Sequence, residues 1–188
     1  MFRRSALATI LLAAATPALA HTGDHSTSGF LSGLSHPFGG LDHVLAMASV
    51  GLFAVLLGGR ALWALPASFV GMMLMGGILG LSGIEVPAAE LGIVMSVVVL
   101  GAIVAWGRQW PIQIAAALVG VFAMFHGYAH GGEVPVGSNA SLYSLGFVTA
   151  SAMLHVLGIA FGLLLDQRRF SRLAGAAVAT SGIFLFLN

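Results

Sequence analysis

Two short segments hold most of the residues able to bind a metal ion. One is His36-Pro37-Phe38-Gly39-Gly40-Leu41-Asp42-His43, and the other is His126-Gly127-Tyr128-Ala129-His130-Gly131-Gly132-Glu133. His126 and His130 are one helical turn apart, so both imidazoles share a face and can reach one ion. Glu133 follows within a turn and adds an oxygen if the helix continues or curls. In the first segment, Pro37 biases His36 away from helical geometry, while Gly39 and Gly40 permit a bent or unwound start to the next helix. Asp42 can ligate, or it can accept from a histidine and fix its tautomer. The plainer alternative is a cap, with Ser35 or Asp42 satisfying free N–H groups. His155 stands apart, with Ser151 four residues back as a hydrogen-bonding neighbour, and reads equally as a relay or as packing. Imidazole suits Ni²⁺, Zn²⁺ and Cu²⁺, and carboxylate adds charge. With no cysteine in the chain, thiolate sites and thiol redox chemistry are excluded.

The elements that must position these groups are apolar. Of 188 residues, 59% are hydrophobic and 7% charged, against about 25% charged in a soluble domain. So few charges cannot cover a water-facing surface, and the natural solvent is lipid. A formal net charge of +1 gives no field for nucleic acid, and none is expected as a partner. The expected fold is an all-α membrane protein, a polytopic bundle of six transmembrane helices after a cleavable signal peptide.

Residues 1-20 read as that signal. Arg3 and Arg4 are followed by the apolar stretch Ala6 to Ala15, then Pro17 and the small-x-small site Ala18-Leu19-Ala20. Cleavage leaves His21 as the first residue of a mature domain, 21-188; an uncleaved first helix is the alternative. A polar lead from Thr22 to Ser35 precedes six apolar stretches: Pro37 to Gly59, Ala61 to Leu81, Pro87 to Trp106, Pro111 to His130, Leu142 to Leu165 and Leu173 to Leu187. Most approach the roughly 20 residues that a spanning helix needs; the last is short. Gly76-x-x-x-Gly80 and Gly158-x-x-x-Gly162 let helices approach closely, and Met72, Met73 and Met75 are read as packing.

Orientation follows from the basic residues. After the signal these are Arg60, Arg108, Arg168, Arg169 and Arg172, all in the first, third and fifth breaks. The positive-inside rule places those breaks in the cytoplasm and both mature termini in the periplasm of a bacterial inner membrane. His21, His25, His36, His43, His126 and His130 then lie toward the outer side, with Asp24, Asp42, Glu85, Glu90 and Glu133; Asp166 alone is inside. Glu85 and Glu90 read as interfacial. No arginine is near this outer cluster, since the bilayer core is about 30 Å thick. A carboxylate in a span costs up to about 3 kcal/mol at mid-depth and needs a partner: a protonated histidine, a hydroxyl or a bound cation.

The chain resembles the HupE/UreJ family over essentially its whole mature length. The resemblance rests on the signal ending just before a histidine, on the six spans, and on three motifs. These are His36-Pro37-x-x-Gly40-x-Asp42-His43, His126-Gly127-x-x-His130-Gly131-x-Glu133 and Leu154-His155. It implies a nickel permease linked to hydrogenase or urease maturation, with Co²⁺ as a second ion, and it matches His36, Asp42, His43, His126, His130 and Glu133 to the family's metal residues. His21 with its free amine is expected to assist capture, and His155 to lie on the inward path. The ion is cargo; no prosthetic group and no catalysis are expected. No Gly-x-x-x-x-Gly-Lys-Ser/Thr motif is present, so membrane potential or protons would drive uptake. Three other readings stay open: an intramembrane zinc hydrolase, a haem protein with His126 and His155 as axial ligands, and a metal sensor or chaperone without transport.

Overall fold

The computed structural model describes residues 29–135, 137–165 and 168–187. The leader, His21, Asp24, His25 and Asp166 lie outside the described residues. Within them the chain is all helix: α1 (Gly29–Gly39), α2 (Leu41–Leu57), α3 (Ala61–Leu81), α4 (Ala89–Trp106), α5 (Ile112–Gly132), α6 (Ala140–Leu165) and α7 (Arg168–Leu187). Each of α3 to α7 is long and apolar enough to cross a membrane, and α1 with α2 adds a sixth candidate if that bent pair is one span. Their exposed faces carry residues such as Leu74, Ile78, Leu157, Leu163, Phe184 and Leu187, which only lipid solvates at no cost. This is a multi-pass membrane protein.

The first expected span departs most from expectation. In place of one helix from Pro37 to Gly59, α1 and α2 meet at 84°. Gly40 between them is extended, with φ −108° and ψ 120°. Pro37 does not push His36 out of helical geometry; both lie inside α1. Proline removes one N–H and crowds one carbonyl, and here it does so in the last turn, where little helix remains to lose. The polar lead is also partly helical from Gly29, because Gly33 and Gly146 let α1 and α6 touch backbone to backbone. At the other end, α7 begins at Arg168 rather than Leu173 and reaches 20 residues. Arginine is a good helix former, and the Arg172 Nε–H donates to Ala105 O across to α4 (2.8 Å).

Helices pair through small residues. α3 lies along α5, α4 along α7, and α6 against α1 and α2. Gly76 and Gly80 of α3 meet the backbone of Met124 and Tyr128, while Gly127 and Gly131 of α5 meet that of Met73 and Gly77. Any side chain at these positions would force the two helices apart. The α2–α3 turn uses left-handed glycines, Gly58 (φ 70°) and Gly59 (φ 52°). Asn139 caps α6 by accepting from the Leu142 N–H (3.1 Å). The bundle has two unlike ends. At one, Gln109 donates to Leu56 O (2.7 Å) and Arg172 to Ala105 O, beside Arg60 and Arg108. At the other lie His36, Asp42 and Glu133.

Candidate metal centre

Three helices deliver the histidines to one place. α1 carries His36, α2 carries Asp42 and His43, α5 carries His126 and His130, and Glu133 caps the end of α5. The right-angled break at Gly40 makes this convergence geometrically feasible, because it turns His36 back over the start of α2. Helix dipoles help: Asp42 sits in the first turn of α2 and His130 in the last turn of α5, the termini that favour negative and positive charge respectively.

The hydrogen bonds fix which nitrogen of each imidazole carries the proton. Carboxylate oxygens only accept. His43 therefore donates from Nδ1 to Asp42 Oδ1 (2.8 Å), which also takes the His43 backbone N–H (2.8 Å). Glu133 Oε2 accepts from His130 Nδ1 (3.1 Å) and from His36 Nε2 (3.1 Å). Deeper, Ser96 Oγ gives its own proton to Ile93 O (2.6 Å) and so accepts from His126 Nε2 (2.9 Å). The remaining nitrogen of each ring bears a lone pair. His43 Nε2 and His130 Nε2 point at each other in direct contact, and His126 Nδ1 is buried without a partner among the described residues.

The rings form a staircase into the bundle. Centroids are 4.7 Å apart for His36 and His130, 4.3 Å for His130 and His43, and 4.6 Å for His43 and His126. Exposure falls along it. Glu133 is exposed, His36 half-buried, His130 and His43 buried, and His126 fully buried. Ligand atoms of His36, His130 and Glu133 lie within 4.8 Å of one another, close enough to converge on one ion at the mouth. His130 therefore faces both ways: Nδ1 belongs to the mouth and Nε2 to the interior. The His130 hydrogen bond, ahead of any other cause, holds the Glu133 carboxyl below its ordinary value of 4.5 despite partial burial.

Apolar groups frame the cluster. Phe147 packs on His130 (4.2 Å) and Tyr143 on His36 (5.8 Å). Both also line a cavity of about 260 Å³ between α3, α5 and α6 that reaches His130. Such a wall lowers the local dielectric and strengthens every charge interaction inside it.

His155 lies deeper still. Ser151 does not partner it, contrary to the reading from spacing. The Ser151 hydroxyl donates to Phe147 O (2.8 Å), one turn back, as serine in an apolar helix tends to do. Phe69 packs on both His155 (4.9 Å) and His126 (5.6 Å). A porphyrin held axially by those two histidines would need the space that Phe69 fills. Glu85 and Glu90 are exposed. Ser96, Phe69, Tyr143 and Phe147 were not foreseen. Only Ser96 left a trace in the sequence, as the one hydroxyl in the apolar run from Leu91 to Trp106.

Comparison with known proteins shows the family. Residues 9–185 match the family described as HupE / UreJ protein. Protein HupE of Rhizobium leguminosarum bv. viciae is 45% identical over 189 residues, covering 98% of this chain and 98% of that protein. This chain belongs to the HupE/UreJ family. No solved structure matches it, so the fold given above stands on the chain's own geometry. The family match takes in both histidine segments, α1 to α6 and α7 as far as residue 185.

Proposed function

We propose that this chain is a permease of the bacterial inner membrane that imports a divalent transition-metal ion. Ni²⁺ is the first choice, with Co²⁺ and Zn²⁺ as lesser ones, and the ion serves hydrogenase or urease maturation. One observation carries the reading: His43 and His130, each with its N–H held by a carboxylate, turn bare Nε2 lone pairs on one another. Two lone pairs in contact repel. A cation between them removes the repulsion and uses the carboxylate–histidine bracing that tunes metal ligands.

Ion movement then follows the staircase. Glu133, His36 and His130 capture the ion at the mouth and replace part of its water shell. Coordination through His130 Nδ1 and His36 Nε2, which now donate to Glu133, moves each ring's proton to its other nitrogen, so capture switches two tautomers without net proton release. The His130 ring passes the ion to the Nε2 atoms of His130 and His43, and the Nδ1 lone pair of His126 lies one ring further in. No covalent step is assigned to any residue. His21 lies outside the described residues and is assigned an auxiliary role in capture. The arginine-rich end lies in the cytoplasm, so the mouth and both termini face the periplasm.

Proteoliposomes holding the purified full chain test this. Saturable Ni²⁺ entry is expected, and His126→Ala with His130→Ala should lower it by at least about tenfold, the scale on which metal sites respond to loss of a supporting group. Unchanged entry in that double variant overturns the permease reading. Wild-type protein that binds Ni²⁺ stoichiometrically but passes none would be a sensor or chaperone. Retained zinc with hydrolytic turnover would make it an intramembrane hydrolase.

A further inference from the structure

The staircase of imidazoles ends at His126, yet the bundle holds one more. His155, on α6, is 1% exposed, and among the described residues neither of its ring nitrogens has a hydrogen-bond partner. A neutral imidazole has one donor and one acceptor to satisfy. Burying both without a partner is unfavourable, and a phenylalanine would fill the same space without that penalty. Three further polar atoms share this condition among the described residues: His126 Nδ1, Ser49 Oγ and the Tyr143 hydroxyl, the last beside His36. Ser49 lies on the stretch of α2 that packs against α6 beside His155. There Gly51 touches the His155 backbone, and Gly158 touches Ala48.

Phe69 packs on both histidines. Its ring lies 5.6 Å from that of His126 and 4.9 Å from that of His155, edge-on to the latter, and it is fully buried. One phenyl ring, set by two side-chain torsions, thus touches both the mouth cluster and His155.

We propose that His155 is a second, inner metal station, which takes a divalent transition-metal ion from the His126 side past the Phe69 ring before release toward the arginine-rich end. This rests on the permease reading above. Both nitrogens of His155 are free of hydrogen bonds among the described residues, so the ring can turn either one to the arriving ion, with water completing the shell. An ion needs such a stop. Between His126 and the arginine-rich end the interior is built mostly from apolar side chains such as Met47, Val50, Phe53 and Leu65, which offer a bare dication little compensation for its lost water.

An isosteric pair tests it in the full chain, using two readouts: equilibrium Ni²⁺ binding to the purified protein and Ni²⁺ flux in proteoliposomes. In His155→Ser, flux should fall at least about tenfold while mouth affinity stays within about twofold, since the mouth ligands are untouched. In His155→Cys, a thiolate of the same size can ligate, and flux should exceed that of His155→Ser by at least about threefold. Wild-type flux in His155→Ser overturns the station. So does equal flux in the serine and cysteine variants, which would show that only packing matters. Parallel loss of mouth affinity in both would assign His155 to holding the bundle together and would also overturn it. Absence of flux in the wild-type protein would instead remove the permease reading beneath it, so the two failures are distinguishable.

Discussion

Glu133 makes the mouth work with one oxygen. Its Oε2 takes both the His130 and the His36 proton at 3.1 Å, so a single carboxylate sets two tautomers. The carboxyl is held below 4.5, chiefly by the His130 hydrogen bond. A depressed carboxylate contributes its stabilisation above the unfolded value and loses it as pH falls through the folded one. Glu133 therefore stays charged above pH 4.5, so a decline of Ni²⁺ affinity on going from pH 7 to pH 5.5 does not arise from protonation of Glu133. Glu133→Gln should weaken Ni²⁺ binding to the purified protein roughly tenfold to a hundredfold, and unchanged affinity would show that the carboxylate plays no part in the mouth site. Asp42 has the same job for His43. Asp42→Asn keeps the shape but offers an amide that can turn its NH₂ toward Nδ1. Flux should drop about tenfold or more with folding, read by thermal unfolding in detergent, nearly unchanged.

At the scale of elements, the break between α1 and α2 decides whether the cluster exists. Gly40 accepts alanine as far as backbone angles go, since φ is −108°. A Cβ there, however, would come within 2.6 Å of Asp42 Oδ1 and 2.9 Å of His43 Nδ1. Gly39, next to it, has nothing within 4 Å of an added Cβ. Gly40→Ala should therefore reproduce the flux defect of Asp42→Asn, while Gly39→Ala should transport within about twofold of wild type, as an open helical position tolerates alanine well. Equal defects in both would place the cost in backbone stiffness rather than in the Asp42–His43 pair. The sequence foretold a bend at these glycines but not its magnitude or its partner. Glycine permits many angles, and what selects 84° is the packing of α1 on α6 through Gly33 and Gly146, a contact over a hundred residues away in the chain. The apolar stretches from Ala61 onward were legible because lipid imposes length and polarity on each span separately. The pairing of His43 with His130, and of His126 with Ser96, was not, because such contacts depend on which helix faces which.

The whole molecule is polarised: histidines and carboxylates at one end, arginines at the other. Asp42, Glu133 and the four clustered imidazoles lie across the bundle from Arg60, Arg108 and Arg172. The arginine end is tied by Gln109 to Leu56 and by Arg172 to Ala105. On the proposed topology, with the arginine end in the cytoplasm by the positive-inside rule, this distribution also sets the direction in which a cation is favoured to travel. A dication that enters at the histidine end moves toward a negative interior, a gain of about 2.3 kcal/mol per charge per 100 mV, doubled for M²⁺. The arginines at the exit disfavour a long stay. The chain has no cysteine, so single replacements report cleanly. Ser82→Cys, in the turn after α3, should react with a membrane-impermeant maleimide from the periplasmic side, and Gln109→Cys only in inverted vesicles. If the topology is as assigned, an inside-negative diffusion potential should accelerate Ni²⁺ entry into liposomes that carry the protein outside-out and retard it when the potential is reversed. Labelling of Gln109→Cys from the periplasm would reverse the molecule. The mouth would then open to the cytoplasm, the same potential would oppose departure of the ion, and import through this cluster could not be the activity.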